Sequence, residues 1–333
     1  MEVDKTAKIL IYGAGAIGCT LAARLIHAGF NQVTVVARGK NLAVLKQQGI
    51  HLSDLTGEYQ VKPFQLVESV SDLVAQDFIF ICTKADAIKS VTMGIQGLIH
   101  DDSVVIPMVN GIPFWYFYAN DDIAAIKPVN SLDPDGFLKD HFPFKQLIGA
   151  VVFITAELIE YGRVKSNTPH LLIFGEPNHS MSPRLENLIA LLKETAMEVR
   201  SHPQIRDQIW TKVLANLSSN PLSVLTGATL RQIYSDPQLK PTTHAMLQEI
   251  RLVACSYGAR IQFDPVQFMQ LGAEMGDIYT SMWHDFKQKR PLELSSIADA
   301  VLELANDLNI EMPVTAKIIG LTRFMSEQSL KAE

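Results

Sequence analysis

Cysteine is scarce in this chain, and most features that would set it apart from ordinary globular proteins are missing too. Only Cys19, Cys82 and Cys255 occur. They are odd in number, widely spaced and set in apolar segments, so they read as reduced core residues rather than a disulfide framework or a metal site. No apolar run approaches the roughly 18 residues of a membrane span, and MEVDKTAK at the N-terminus lacks the basic-then-apolar order of a signal peptide. A cytoplasmic protein with no membrane partner is expected. The net charge is −6 and no basic run occurs, which removes the electrostatic footprint of a nucleic-acid binder. Repeats and low-complexity tracts are also absent. The 333 residues, 47% of them hydrophobic, suffice to bury a sizeable core and to form two domains.

The stretch from Lys8 to Ala37, KILIYGAGAIGCTLAARLIHAGFNQVTVVA, reads as an apolar strand, a glycine turn, an alanine-rich helix stopped near Gly29, and a β-branched second strand. Gly13, Gly15 and Gly18 have the G-x-G-x-x-G spacing. Gly13 allows the tight turn, Gly15 lets backbone N–H groups approach a pyrophosphate, and Gly18 lets the helix lie close on the sheet. Ala14, Ala16 and Ile17 complete the cradle, with the phosphate at a helix N-terminus where the dipole favours negative charge. Glycine triplets also serve ordinary turns; the flanking strand and helix are what make a dinucleotide site the expectation.

The end of the second strand selects the dinucleotide. An acid there, about 20 residues on, bonds the ribose 2′-OH of NAD, whereas an arginine meets the 2′-phosphate of NADP. This chain offers Ala37, Arg38, Gly39 and Lys40. A guanidinium can hold a phosphate bidentately, so NADP is the expected cofactor; the competing reading is a solvated basic turn.

Further along, Lys40 to Gln48 reads as a helix stopped by Gly49, HLSDLTGEYQV as a hairpin, and FIFIC and VVIPMV as strands buried on both faces. Residues 147–175 are extended, and 182–196 return as a helix with Pro183 at its first position. After Ile205 only helical spacing remains, around 205–218, 240–257, 264–275, 295–308 and 313–327. The expected fold is therefore an α/β Rossmann-type N-terminal domain, residues 1–203, followed by an all-α C-terminal domain, residues 204–333. SHPQ, residues 201–204, is the linker, and a site between the domains is the default expectation.

Lys212, Asn216 and Asn220 lie at i, i+4 and i+8, on one stripe of a helix whose intervening residues are apolar. Such polar groups must find partners or face a cavity, unless the stripe is partly solvated with a snorkelling lysine. Pro221 predicts that the helix ends or kinks at Asn220.

Together GAGAIG, Arg38, Thr83-Lys84-Ala85, Asn110-Gly111 and K-x3-N-x3-N-P resemble the ketopantoate reductase family, which reduces 2-dehydropantoate to pantoate with NADPH. Ser281-Met282, Arg290-Pro291-x-Glu293 and Pro313 extend the resemblance over nearly the whole chain. It implies that Lys212 is the general acid and that Asn216 and Asn220 are substrate-holding amides. Ser281 becomes a contact to the substrate carboxylate region, Glu293 the carboxylate that holds the substrate hydroxyl, and Lys84 and Asn110 groups on the nicotinamide and ribose side. By themselves, Glu293 reads as a helix-start carboxylate, Lys84 as a solvated cation, Ser281 as a helix cap and Glu249 as part of a solvated face.

Val109 stands where many members have Gln, and Ser295 and Ala298-Asp299 replace an acid and an Asn-Gly pair. The aromatic run 114–118 reads as a local hydrophobic staple in preference to a lid. The function implied is ketopantoate reduction in pantothenate biosynthesis, on a small-molecule 2-oxoacid, with a homodimer left open. The rivals are a paralogous reductase of another 2-oxoacid, a catalytically idle NADP-binding sensor, and a FAD enzyme with the same glycine turn.

Overall fold

The structure, a computed structural model, describes residues 3–119 and 127–331. They divide into two compact units. One comprises Met1–Val109, Phe117–Lys127 and Gly136–Ile205, the other Asn110–Tyr116, Pro128–Asp135 and Arg206–Glu333. A single cut at 203/204 does not describe this division, because two earlier segments spend their polar groups inside the helical unit. Trp210 Nε1 donates to the Tyr116 hydroxyl at 2.7 Å, and the Glu303 carboxylate accepts the N–H groups of Asn130 and Ser131 at 2.7 and 2.8 Å.

The first unit begins with β1 (Ile9–Tyr12), α1 (Ala16–His27), β2 (Val33–Val36), α2 (Gly39–Gln48), β3 (Ile50–Asp54), β4 (Gly57–Val61), β5 (Gln65–Val67), β6 (Phe78–Ile81), α3 (Ile88–Ile95) and β7 (Val104–Pro107). The strands β5-β2-β1-β6-β7 form one parallel sheet in that order. All four residues of β1 and of β2 are buried, as the continuous apolar runs require of strands covered on both faces. Three-residue β5 was not legible, being too short to show a period. The chain continues through α4 (Phe137–His141), β8 (Gly149–Phe153), β9 (Ala156–Glu160), β10 (Arg163–Ser166), β11 (Leu171–Gly175), α5 (Pro183–Lys193) and β12 (Glu198–Ser201). These strands build two smaller sheets, β4-β3-β10-β9 and β12-β11-β8. The buried guanidinium of Arg24 on α1 meets Asp54 of β3 at 2.5 Å and the Tyr59 hydroxyl of β4 at 3.3 Å, which ties the first helix to the hairpin.

The second unit is helical: α6 (Ile205–Thr226), α7 (Leu230–Ser235), α8 (Lys240–Ser256), α9 (Pro265–Glu274), α10 (Ser281–Lys287), α11 (Ala300–Asp307) and α12 (Pro313–Lys331), with a π-helical turn over Ser295–Asp299 leading into α11. Thr229, Asp264 and Thr280 cap α7, α9 and α10. Glu249 does not belong to a solvated face, because its carboxylate accepts the Val314 and Thr315 N–H groups at the start of α12. Trp115 and Tyr116 are fully buried, and Tyr116 packs edge-on against Trp210 and Tyr257. This part of the aromatic run is thus core, as the staple reading had it; residues 120–126 of the following stretch lie outside the described residues.

Of the end or kink expected at Asn220, the end is not seen, since α6 runs through Pro221 to Thr226. Proline removes the N–H donor that the Leu217 carbonyl would have received, and the neighbouring hydroxyls bond other carbonyls of the helix. Ser219 reaches Ala215 O at 2.7 Å, Ser223 reaches Asn220 O at 2.7 Å and Thr226 reaches Leu222 O at 2.6 Å. Buried Leu217, Leu222 and Val224 hold this stretch in the core, so packing outweighs the lost bond.

Candidate active site

In the first unit the glycine turn leaves β1 with Gly13 at φ +116°, and a Cβ there would stand 3.0 Å from the Cys82 carbonyl. Gly18 lies under the turn, where a Cβ would come within 1.9 Å of the Gly13 carbonyl oxygen. Gly15 differs, because nothing lies within 4 Å of its Cβ position. It occupies the N-cap of α1 with no side-chain cap, and the first turn of that helix carries no acid. The open side of the turn, with the uncapped N–H groups of Ala16 and Ile17 at a positive helix end, fits the pyrophosphate of a dinucleotide. Ala14 is fixed from behind, its carbonyl accepting from Asn41 Nδ2 at 2.9 Å. Thr83, beside Gly13, has a buried hydroxyl without a hydrogen-bond partner among the described residues.

Arg38 is the N-cap residue of α2, and Arg38, Gly39 and Lys40 are all exposed. Lys84 is part-buried in the step between β6 and the following helical turn.

In the second unit α6 carries Lys212, Asn216 and Asn220. The Lys212 ammonium donates to Asn110 Oδ1 at 2.6 Å. Its pKa is pushed down to about 8, chiefly by desolvation, against the pull of the nearby Glu293 charge. Part of the side chain keeps accessible surface, yet protein crowds its charged end, and that crowding is what penalises the ammonium. A lysine tuned toward neutrality can release its proton at working pH while still offering positive charge to a developing alkoxide. Asn220 is buried and its Nδ2 has no partner among the described residues, so an N–H donor stands ready for an acceptor from outside. Asn216 lies between them on α6 and is part-exposed.

Ser281 reads differently from a helix cap. The cap is Thr280, whose hydroxyl accepts the Trp283 N–H at 3.2 Å and meets Ser223 of α6 at 2.5 Å. Ser281 is the exposed first residue of α10, next to this tie between the helices. Glu293 is part-buried and immediately precedes the helical residue Leu294 and the π-turn. Within that turn Ala298 is fully buried, while Asp299 pairs with Arg323 of α12 at 2.5 Å. The altered pair is thus spent on packing and on a helix tie.

The structure therefore gathers Lys212, Asn110 and Glu293 inside one unit, with Lys212 on the helix that also carries Asn216 and Asn220. Asn110 was grouped by sequence with the cofactor cradle; here its side chain serves Lys212. Reasoning from sequence passed over Asn41, Thr280 and Ser223. Adjacent Thr280 and Ser281 are equivalent cap candidates by residue type, and the Asn41 contact joins residues 27 apart. Among the described residues no group of three or more His, Cys, Asp or Glu side chains is arranged to hold a metal ion. No described helix is long and apolar enough to cross a membrane.

The chain is similar over nearly its whole length to known proteins. A 2-dehydropantoate 2-reductase of Mesorhizobium japonicum is 30% identical over 95% of this chain and 97% of its own. A solved ketopantoate-reductase-like chain from Ralstonia solanacearum MolK2 superposes with a TM-score of 0.89 at 29% identity, covering 97% of this chain and 99% of the other. A D-mandelate dehydrogenase, solved with NADH and anilino(oxo)acetate, shares the fold with a TM-score of 0.82 at 19% identity over 97% and 99% of the two chains. The model for ketopantoate reductase PanE/ApbA matches residues 9–179 and that for its C-terminal domain matches 204–326, and the chain belongs to this family of oxidoreductases.

Proposed function

We propose that this protein reduces 2-dehydropantoate to pantoate with NADPH, in pantothenate biosynthesis. The observation that carries the reading is Lys212, an ammonium tuned to about 8 that donates to Asn110 and lies near the Glu293 charge. A nicotinamide dinucleotide, when bound, supplies the hydride for the carbonyl carbon. The chain's own residues do the rest. The glycine turn from Gly13 to Gly18 receives the pyrophosphate, and Arg38, with no carboxylate beside it, favours a 2′-phosphate over a free 2′-OH.

Lys212 gives its proton to the carbonyl oxygen of the 2-oxoacid as that oxygen gains charge, which leaves a neutral amine. The unpaired amide of Asn220 donates to the substrate from the same helix, with Asn216 beside it and Ser281 toward the carboxylate region. Glu293 accepts the substrate hydroxyl; its negative charge also favours the protonated form of Lys212 between turnovers.

A second reading, reduction of another 2-oxoacid with the same chemistry, draws on the shared fold of the mandelate dehydrogenase and on Ala298 and Asp299. Against a bulkier substrate stands the burial of Trp115 and Tyr116, which leaves those aromatics in the core. An idle NADP-binding sensor has no use for a lysine tuned in this way. NADPH oxidation across a panel of 2-oxoacids tests the proposal: ketopantoate should stand well above the rest, and preference for an aromatic oxoacid would favour the second reading. Cytoplasmic location and a homodimer belong to the same proposal; sedimentation analysis checks the latter.

A further inference from the structure

Gly111 and the π-helical turn after Glu293 grip each other through the backbone. Gly111 has φ +86°, and a Cβ there would stand 2.2 Å from the Ser296 carbonyl oxygen and 2.8 Å from the Ile297 nitrogen. The same Ser296 carbonyl accepts the Ile112 N–H at 2.8 Å. The turn that follows Asn110 is thus seated on one carbonyl of the π-turn, with no room for any side chain at 111. Ser296 is buried and its hydroxyl has no hydrogen-bond partner among the described residues, so the backbone makes the contact.

An α-helical carbonyl at this place would be committed along the helix axis, whereas the extra residue in a π-turn disturbs that ladder and frees a carbonyl for an outside donor. Glu293 lies three residues before Ser296 and Asn110 one residue before Gly111. One short piece of backbone therefore joins the two groups that flank Lys212.

We propose that this dock of Gly111 on the Ser296 carbonyl is a positioning device for proton transfer, holding Asn110 where its Oδ1 receives the Lys212 ammonium in register with Glu293. The inference rests on Lys212 being the proton donor. Gly111→Ala is the first test, because its methyl must push the two segments apart. Gly258→Ala is the control. Gly258 shares a left-handed φ of +78° but has nothing within 4 Å of its Cβ position, so it reports backbone strain alone.

With ketopantoate and NADPH, Gly111→Ala should lower kcat at least fivefold per folded molecule. The basic limb of its pH profile should move to lower pH, because the ammonium loses an acceptor. Gly258→Ala should change neither. Replacing Ile112 by its α-hydroxy acid turns the 111–112 amide into an ester, which removes the N–H donor to Ser296 without adding a side chain, and should move the limb in the same direction if Gly111→Ala does not fold. A smaller loss of kcat, or a limb that does not move down, overturns the dock as a positioning device. Lys212→Ala, run alongside, separates the two ideas: retained turnover there defeats the proton-donor reading itself, whereas a dead Lys212→Ala beside an unperturbed Gly111→Ala defeats only the dock.

Discussion

Gly18 approaches the carbonyl of Gly13 so closely that a Cβ on Gly18 would stand 1.9 Å from that oxygen, whereas a Cβ on Gly15 would meet nothing within 4 Å. The two glycines therefore do different work. Gly18→Ala should force α1 off the turn and cost about 1–3 kcal/mol as an overpacked contact. Gly15 has φ −78° and ψ −169°, which alanine adopts freely, so Gly15→Ala should leave stability within about 0.5 kcal/mol. Its methyl would occupy the space offered to the pyrophosphate, and dinucleotide affinity should fall tenfold or more. Thermal denaturation beside calorimetric titration checks both variants; an undiminished affinity in Gly15→Ala would place the phosphates elsewhere.

Arg38 makes a separate statement about the cofactor. A charge-assisted contact to phosphate contributes about 1.5–3 kcal/mol. Arg38→Ala should thus weaken NADPH binding by roughly ten- to a hundredfold and leave NADH nearly unchanged. Equal losses for the two cofactors would mean that Arg38 does not read the 2′-phosphate.

Lys212 carries opposite consequences for rate and for stability. Lys212→Met should lose about 10²–10⁴ in kcat, the usual yield of general acid catalysis, with NADPH affinity largely kept. In the folded protein its pKa is about 8 against 10.5 for an ordinary lysine, so between those values the unfolded chain binds more protons. The contribution of Lys212 to stability should accordingly rise with pH through that window, and its penalty is complete below it. Lys212→Met removes the buried charge and should gain about 1 kcal/mol at pH 7, allowing for the part-exposed side chain and the lost Glu293 attraction. Denaturant melts of both proteins from pH 7 to 10.5 read this as the difference between their slopes. The difference is needed because burial raises the pKa values of Cys19, Cys82 and Tyr116, which lowers the stability of parent and variant alike toward the top of that range. The activity of the parent enzyme should decline above about pH 8, where the proton to be given is lost.

Glu293 tests the substrate. A site built to bond a hydroxyl rejects an analogue without it, with discrimination up to about 10⁴. We expect 2-oxoisovalerate, which lacks the hydroxymethyl group, to be reduced far more slowly than ketopantoate. Glu293→Ala should narrow the gap by lowering kcat/KM for ketopantoate steeply and for the analogue only slightly. Equal rates for both oxoacids with the parent enzyme would remove Glu293 from hydroxyl recognition.

Local chemistry was enough to foresee much of this protein. Apolar runs of four residues, the glycine spacing after β1, Gly49 after α2, Pro183 at the start of α5 and the three- and four-residue periods after Ile205 all act within a few residues. A sequence displays such signals directly. Lys212, Asn216 and Asn220 fell on one helix stripe for the same reason.

Tertiary structure decided what depends on distant partners. Pro221 stays inside α6 because Leu217, Leu222 and Val224 are packed in the core, an energy that no local preference for proline contains. Asn110 pairs with Lys212 across 102 positions. Glu249 was spent on the N-terminus of α12, and Thr280 rather than Ser281 took the cap, because each was settled by which N–H groups the fold brought within reach. The lowered pKa of Lys212 belongs with these: it arises from the protein crowded around one ammonium, a quantity that exists only once the chain has folded.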